Sequence, residues 1–142
     1  MQDSKLVNVL IPVGTKLSAE QCPKTQEEEE DMSHVPYESA VGILMHAIVC
    51  IRPDNAHVVG LLSNFMSNPG KEHWIVVKRV FRYLHGTSDY GLCYQGRLGL
   101  ERMLDICGFF DANWAIDLDQ RRSTSGYVFS LFGGAVSWMS KR

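Results

Sequence analysis

Asp111 is the residue best placed to do chemistry in this sequence. It follows Phe109-Phe110 and precedes Ala112-Asn113-Trp114, a carboxylate at the end of an apolar run. An Asp fixed at a strand end suits a divalent cation, because hard cations prefer oxygen ligands on rigid elements. The same residue type is also a common turn or cap residue at strand ends, and spacing alone does not separate the two roles. Asp117 and Asp119 lie just before Arg121-Arg122 and read as turn residues or surface ion pairs. Ser123-Thr124-Ser125 offers hydroxyls, but no His stands close enough in sequence to suggest a triad, and a polar strand entry is the simpler reading.

Lys71, Lys78 and Arg82 form a second constellation. Their spacing puts them on one side of a helix whose other side carries Trp74, Val77, Phe81 and Leu84. Such a stripe can track a phosphate backbone. It is also what the solvated face of any amphipathic helix looks like. Cys22, Cys50, Cys93 and Cys107 contain no Cys-x-x-Cys pair and read as free, buried thiols in a reducing compartment. His46, His57, His73 and His85 are scattered over different helical segments and are given no ligand role. No zinc cluster, phosphate-binding glycine loop or HExxH motif is present.

The elements that must hold these residues follow from periodicity and breakers. Residues 1–35 read as an extended acidic leader containing Pro12, Pro23 and Glu27-Glu28-Glu29-Glu30-Asp31, a run that suits a solvated segment or the first turns of a helix. Three helices are expected next. The first opens at Pro36, with Tyr37, Val41, Leu44, Met45 and Ile48 on one stripe. The second starts after Pro53, with Val58, Leu61, Leu62, Phe65 and Met66 on its apolar face. The third is capped by Asn68 and ended by Gly86. Their tight connections predict one bundle. Beyond Thr87 the pattern turns to strands at 90–95, 103–110, 126–132 and 135–140, the last two joined by Gly133-Gly134 as a hairpin. A linker at 97–101 sets a boundary near residue 100. The chain therefore reads as α+β: leader 1–35, helical segment with a final strand 36–100, and a mainly antiparallel, incomplete sheet 101–142.

Composition narrows the function classes. With 45% hydrophobic residues, 21% charged residues and a net charge of −2 over 142 residues, the chain can build a core and has no bulk basic charge to bind nucleic acid nonspecifically. The longest apolar stretch, 40–51, falls short of the ~18 residues of a membrane span and contains His46, so no membrane partner is expected. The first residues carry Asp3 where a secretory signal wants positive charge, so an intracellular chain is the default expectation.

Several long motifs then fall into one order. Val35-Pro36-Tyr37-Glu38-Ser39-Ala40-Val41-Gly42, Arg52-Pro53-Asp54, Phe65-Met66-Ser67-Asn68-Pro69-Gly70-Lys71-Glu72-His73-Trp74 and Arg82-Tyr83-Leu84-His85-Gly86-Thr87 resemble copia-type retrotransposon Pol polyproteins. So do Asp111-Ala112-Asn113-Trp114-Ala115, Arg122-Ser123-Thr124-Ser125-Gly126-Tyr127-Val128-Phe129 and Gly133-Gly134-Ala135-Val136-Ser137-Trp138. The resemblance implies that the helices are the thumb and connection at the end of a reverse transcriptase. It implies that the sheet is the first three strands of a ribonuclease H domain. It places Lys71, Lys78 and Arg82 on the side of an RNA/DNA hybrid and makes Asp111 the first of the ribonuclease H metal carboxylates.

The departures from the family are as informative. The polymerase aspartates lie upstream in the family, and the remaining ribonuclease H carboxylates lie past the third strand. A single carboxylate cannot hold the two Mg2+ ions of the parent chemistry. Asp111 is therefore expected to be vestigial, with no functional catalytic residue, no enzymatic activity and no cofactor for the chain itself. Asn113 stands for a usual Asp, Ile116 for a usual Gly, and Asn55 for a usually apolar residue. Copia-like chains described as secreted RxLR-type effectors of oomycete plant pathogens share the same motifs, which gives a secreted, host-cell alternative. This sequence has no Arg-x-Leu-Arg to match it. A domesticated nucleic-acid- or protein-binding module is the other alternative. The missing cover for the sheet predicts an aggregation-prone C-terminal part.

Overall fold

The computed structural model describes Val7, Leu10 and residues 15–95, 106–113 and 123–141. The acidic run becomes a helix. Thr25 caps α1 (Gln26–Ser33): its hydroxyl accepts from the Glu28 N–H at 3.3 Å, and the Glu28 carboxylate accepts from the Lys24 and Thr25 N–H groups at 2.9 and 3.4 Å. Negative charge in a first turn also complements the helix dipole. Met32 alone is buried, so α1 presents its acids to water. A short 3-10 turn at Ala19–Gln21 precedes it. This part of the expected extended leader is thus folded, because Thr25 and Glu28 supply a complete capping box.

Pro36 caps α2 (Tyr37–Cys50), a 3-10 turn spans Pro53–Asn55, and α3 (Ala56–Ser63) and α4 (Lys71–Gly86) complete the helices. The expected bundle is present. Tyr37, Ala40, Val41 and Leu44 of α2, Val58, Val59 and Leu62 of α3, and Val76, Val77 and Val80 of α4 form one buried cluster. Tyr37 donates its hydroxyl to the Leu62 carbonyl at 2.9 Å, so its polar tip costs nothing inside that cluster. Trp74, Phe81 and Leu84 pack at its margin, while Met45 faces outward. Helix α3 stops at Ser63, earlier than its apolar pattern suggests. The Asn64 amide turns back to the Gly60 and Leu61 carbonyls at 2.9 and 3.0 Å, leaving Phe65 and Met66 in the following turn.

The cap of α4 is Gly70, not Asn68. The Gly70 N–H donates to His73 Nδ1 at 2.9 Å, and a Cβ at Gly70 would come within 1.8 Å of the Gln21 carbonyl oxygen. Only glycine lets the 3-10 turn lie this close. His73 itself is fully buried and stacks on Phe65 with ring centroids 4.0 Å apart.

Three antiparallel strands follow in the order β1 (Ile106–Asn113), β2 (Thr124–Leu131), β3 (Gly134–Lys141). The segment 90–95 is not a strand. It runs beside the hairpin through two bonds, from the Gln95 N–H to the Phe132 carbonyl at 2.9 Å and from the Tyr94 hydroxyl to the Ala135 carbonyl at 2.6 Å. The hairpin turn is Phe132-Gly133, with φ of 52° and 83°, as a two-residue type I′ turn requires. Gly134 belongs to β3 instead and lies against the Tyr94 ring. The expected linker at 97–101, and Asp117, Asp119, Arg121 and Arg122, fall outside the described residues.

Phe109, Val128 and Trp138 stand opposite one another and share one face of the sheet, whereas Phe110, Tyr127 and Met139 share the other. The first face meets the bundle, where the Trp138 indole N–H donates to the Ile48 carbonyl at 3.0 Å. Among the described residues no helix is long and apolar enough to cross a membrane.

Candidate functional site

Helix α4 sets the geometry of the basic stripe. Burial of His73, Val76, Val77 and Val80 orients the helix, which leaves Lys71, Ile75, Lys78 and Arg82 at i, i+4, i+7 and i+11 on the opposite side. Lys78 and Ile75 are exposed, and Arg82 is half-buried with its Nε enclosed and without a hydrogen-bond acceptor. Lys71 differs from the other two. Its ammonium pairs with Asp31 of α1 at 2.8 Å. That hydrogen bond and charge raise the Lys71 pKa and lower the Asp31 pKa. The stripe therefore has two cations open to a ligand, Lys78 and Arg82, and one already engaged across 40 residues of sequence.

Arg52 holds the C-terminal end of α4 in place. Only 6% exposed, it bonds Asp54 through Nε and Nη2 at 3.1 and 2.8 Å, and the Thr87 carbonyl and hydroxyl at 3.1 and 2.7 Å. Its guanidinium lies 5.4 Å from the centre of the Tyr83 ring, whose hydroxyl donates to Asp54 at 2.9 Å. Burial alone would push the Asp54 carboxyl up, but the bonds from Arg52 and Tyr83 hold it below the ordinary value. This network ties the α2–α3 connection to the end of the basic helix. Sequence reading missed it, since Arg52-Pro53 signals only a helix stop.

Asp111 stands in β1 opposite Gly126 and is exposed. It lines a cleft of about 320 Å³ between sheet and bundle together with Asp54, His57 and Tyr127. Among the described residues no three His, Cys, Asp or Glu side chains come close enough to hold a metal ion. Among the described residues, a single carboxylate beside Gly126 does not fit a two-cation site.

None of the four cysteines is in a disulfide, as expected, but they are not buried. Cys22 is half-buried, and Cys50, Cys93 and Cys107 are exposed. Apolar neighbours in sequence misled here, because the outward side of α2 and both faces of the sheet carry apolar residues too. Sequence reading also missed a pair. Cys50 Sγ lies 3.6 Å from His46 Nδ1 and 3.8 Å from Nε2 on the outer surface of α2.

Over 141 residues, 99% of the chain, it is 48% identical to the retrovirus-related Pol polyprotein from transposon TNT 1-94 of Nicotiana tabacum, of which it spans 10%. It is 39% identical over 106 residues to the Pol polyprotein from transposon RE2 of Arabidopsis thaliana, covering 75% of this chain and 7% of that one. Secreted RxLR effector protein 161 of Plasmopara viticola is 51% identical over 111 residues, 78% of this chain and 75% of that one. No protein-family model and no solved structure matches. Over nearly its whole length the chain is similar to retrotransposon Pol polyproteins, and it spans about a tenth of the tobacco protein's length.

Proposed function

We propose that this Pol segment is a nucleic-acid-holding piece without catalytic activity of its own. In this reading the bundle is the thumb and connection end of a reverse transcriptase, and the sheet is the opening of a ribonuclease H-like domain. The observation that carries it is the α4 stripe. Lys78 and Arg82 face away from a fully buried valine row, on a helix fixed at both ends by Gly70 capping and the Arg52 network. Two cations on one rigid face can follow successive phosphates of an RNA/DNA hybrid, and Ile75, one turn before Lys78 on the same face, gives the stripe an apolar contact for sugar. Lys71 contributes less, because Asp31 competes for it.

The catalytic half of the proposal is tested on a labelled RNA/DNA hybrid with Mg2+ or Mn2+. No cleavage above background is expected, and Asp111→Asn should change nothing. Metal-dependent cleavage that Asp111→Asn abolishes would overturn it.

The likeness to three quarters of the Plasmopara effector supports a second reading, a secreted protein acting in a host plant cell. Immunoblots of fractionated cells and culture medium separate the two readings. A species of 16.0 kDa in the medium favours the effector, and material confined to the cells favours the Pol segment.

A further inference from the structure

The outer surface of α2 carries a pair of metal-binding side chains that the Pol reading does not use. His46 and Cys50 are one helical turn apart, so they share a face. A tetrahedral zinc ion holds sulfur at ~2.3 Å and nitrogen at ~2.0–2.1 Å, which sets its two donors roughly 3.6 Å apart. Cys50 Sγ lies 3.6 Å from His46 Nδ1 and 3.8 Å from Nε2. The sulfur lies beside the ring at nearly equal distance from both nitrogens, so the imidazole must turn about its side-chain bonds to aim one lone pair at an ion held by Cys50. Thiolate with imidazole is a donor set that suits Zn2+.

Two donors make only half of a closed site, and among the described residues no third ligand joins them. The surrounding surface suits a second copy of the same chain. Ile43, one turn before His46, is 62% exposed, and Val49, beside Cys50, is 76% exposed. Gly42 has open space where a Cβ would stand, which lets another helix approach closely. Glu38 is the one charged residue in α2, so two copies of this face meet without opposed like charges along most of its length. Two thiolates also neutralise the dication, so no net charge is trapped in the interface.

We propose that two copies of this chain pack through α2 about a two-fold axis and share one zinc ion between His46 and Cys50 of each. The symmetry supplies the missing pair of ligands, because a two-fold interface brings the same patch from both chains.

The test uses the untagged full chain, reduced with a non-thiol reductant and titrated with Zn2+, and with Co2+ as a spectroscopic probe. The expected result is one metal per two chains, a mass doubled from 16.0 kDa by sedimentation, and the thiolate-to-cobalt absorption of a tetrahedral site. All three should be lost in His46→Ala and in Cys50→Ser, retained in Cys107→Ser, and reversed by EDTA. Both lost side chains are exposed, and far-UV circular dichroism checks that the fold is intact. One metal per chain at monomer mass, a dimer that survives EDTA, or metal binding unchanged in either variant would overturn the proposal.

Discussion

Asn55 shows how one residue can cost this fold stability. It is 1% exposed, and its Oδ1 has no hydrogen-bond partner, while its amide reaches only Asp54 at 3.2 Å. A buried acceptor left unpaired costs its desolvation, about 1–3 kcal/mol. Asn55→Leu, which restores the apolar character that the family resemblance expects there, should raise unfolding stability by roughly 1 kcal/mol after loss of the Asp54 contact. Urea denaturation reads this as a higher midpoint at unchanged slope, and a lower midpoint would refute it. Asp54 gives a second residue-scale prediction, in pH. Its pKa is lower in the folded chain, so its contribution is complete above the unfolded value of about 3.9 and is lost as pH falls through the folded value. Glu28 and Asp31 are shifted the same way, Glu28 chiefly by the backbone N–H of Lys24 and Asp31 by the Lys71 hydrogen bond. Stability should therefore fall below about pH 4, and Asp54→Asn should flatten part of that fall. An acid limb unchanged in Asp54→Asn would show that the Arg52 network carries no pH dependence.

The elements differ in how much of them the sequence alone conveys. A period of 3.6 and the breakers Pro36, Pro53 and Gly86 convey α2, α3 and α4, because those helices bury one face in a common core and local pattern agrees with packing. The segment 90–95 has the alternation of a strand but, among the described residues, meets the hairpin through a single backbone bond, so composition without a ladder partner gives an extended run. The Lys71–Asp31 pair and the Arg52–Thr87 bonds join residues 40 and 35 positions apart, and no local signal encodes them. The basic stripe was legible as a face, while the pairing that removes Lys71 from it was not. The hairpin adds a test at this scale. Phe132 holds a φ of 52°, a left-handed conformation that costs an ordinary side chain roughly 1–2 kcal/mol. Phe132→Gly or Phe132→Asn should stabilise the β2–β3 hairpin by a good part of that, seen as slower amide exchange of the strand N–H groups. Gly133→Ala should do the reverse. Equal exchange in all three would mean that the turn does not control the hairpin.

The whole molecule is a closed helical core with an open sheet resting on it. The bundle buries residues from three helices, whereas Phe109 and Phe110 of β1 remain 65% and 74% exposed. The bond from Trp138 to Ile48 links the two parts, and clefts on either side of it leave the contact incomplete. The two parts should therefore unfold in separate steps. The Trp138 environment should change before the helical circular dichroism, and a single transition seen by both probes would contradict that picture. Fluorescence anisotropy of an RNA/DNA hybrid across a salt series tests the α4 face as a nucleic-acid contact most directly. Binding should weaken steeply as salt rises. Lys78→Ala and Arg82→Ala should each weaken it and reduce the salt slope by about one, while Lys71→Ala should have the smallest effect. Absent or salt-insensitive binding, or binding that ignores Lys78 and Arg82, would contradict the account.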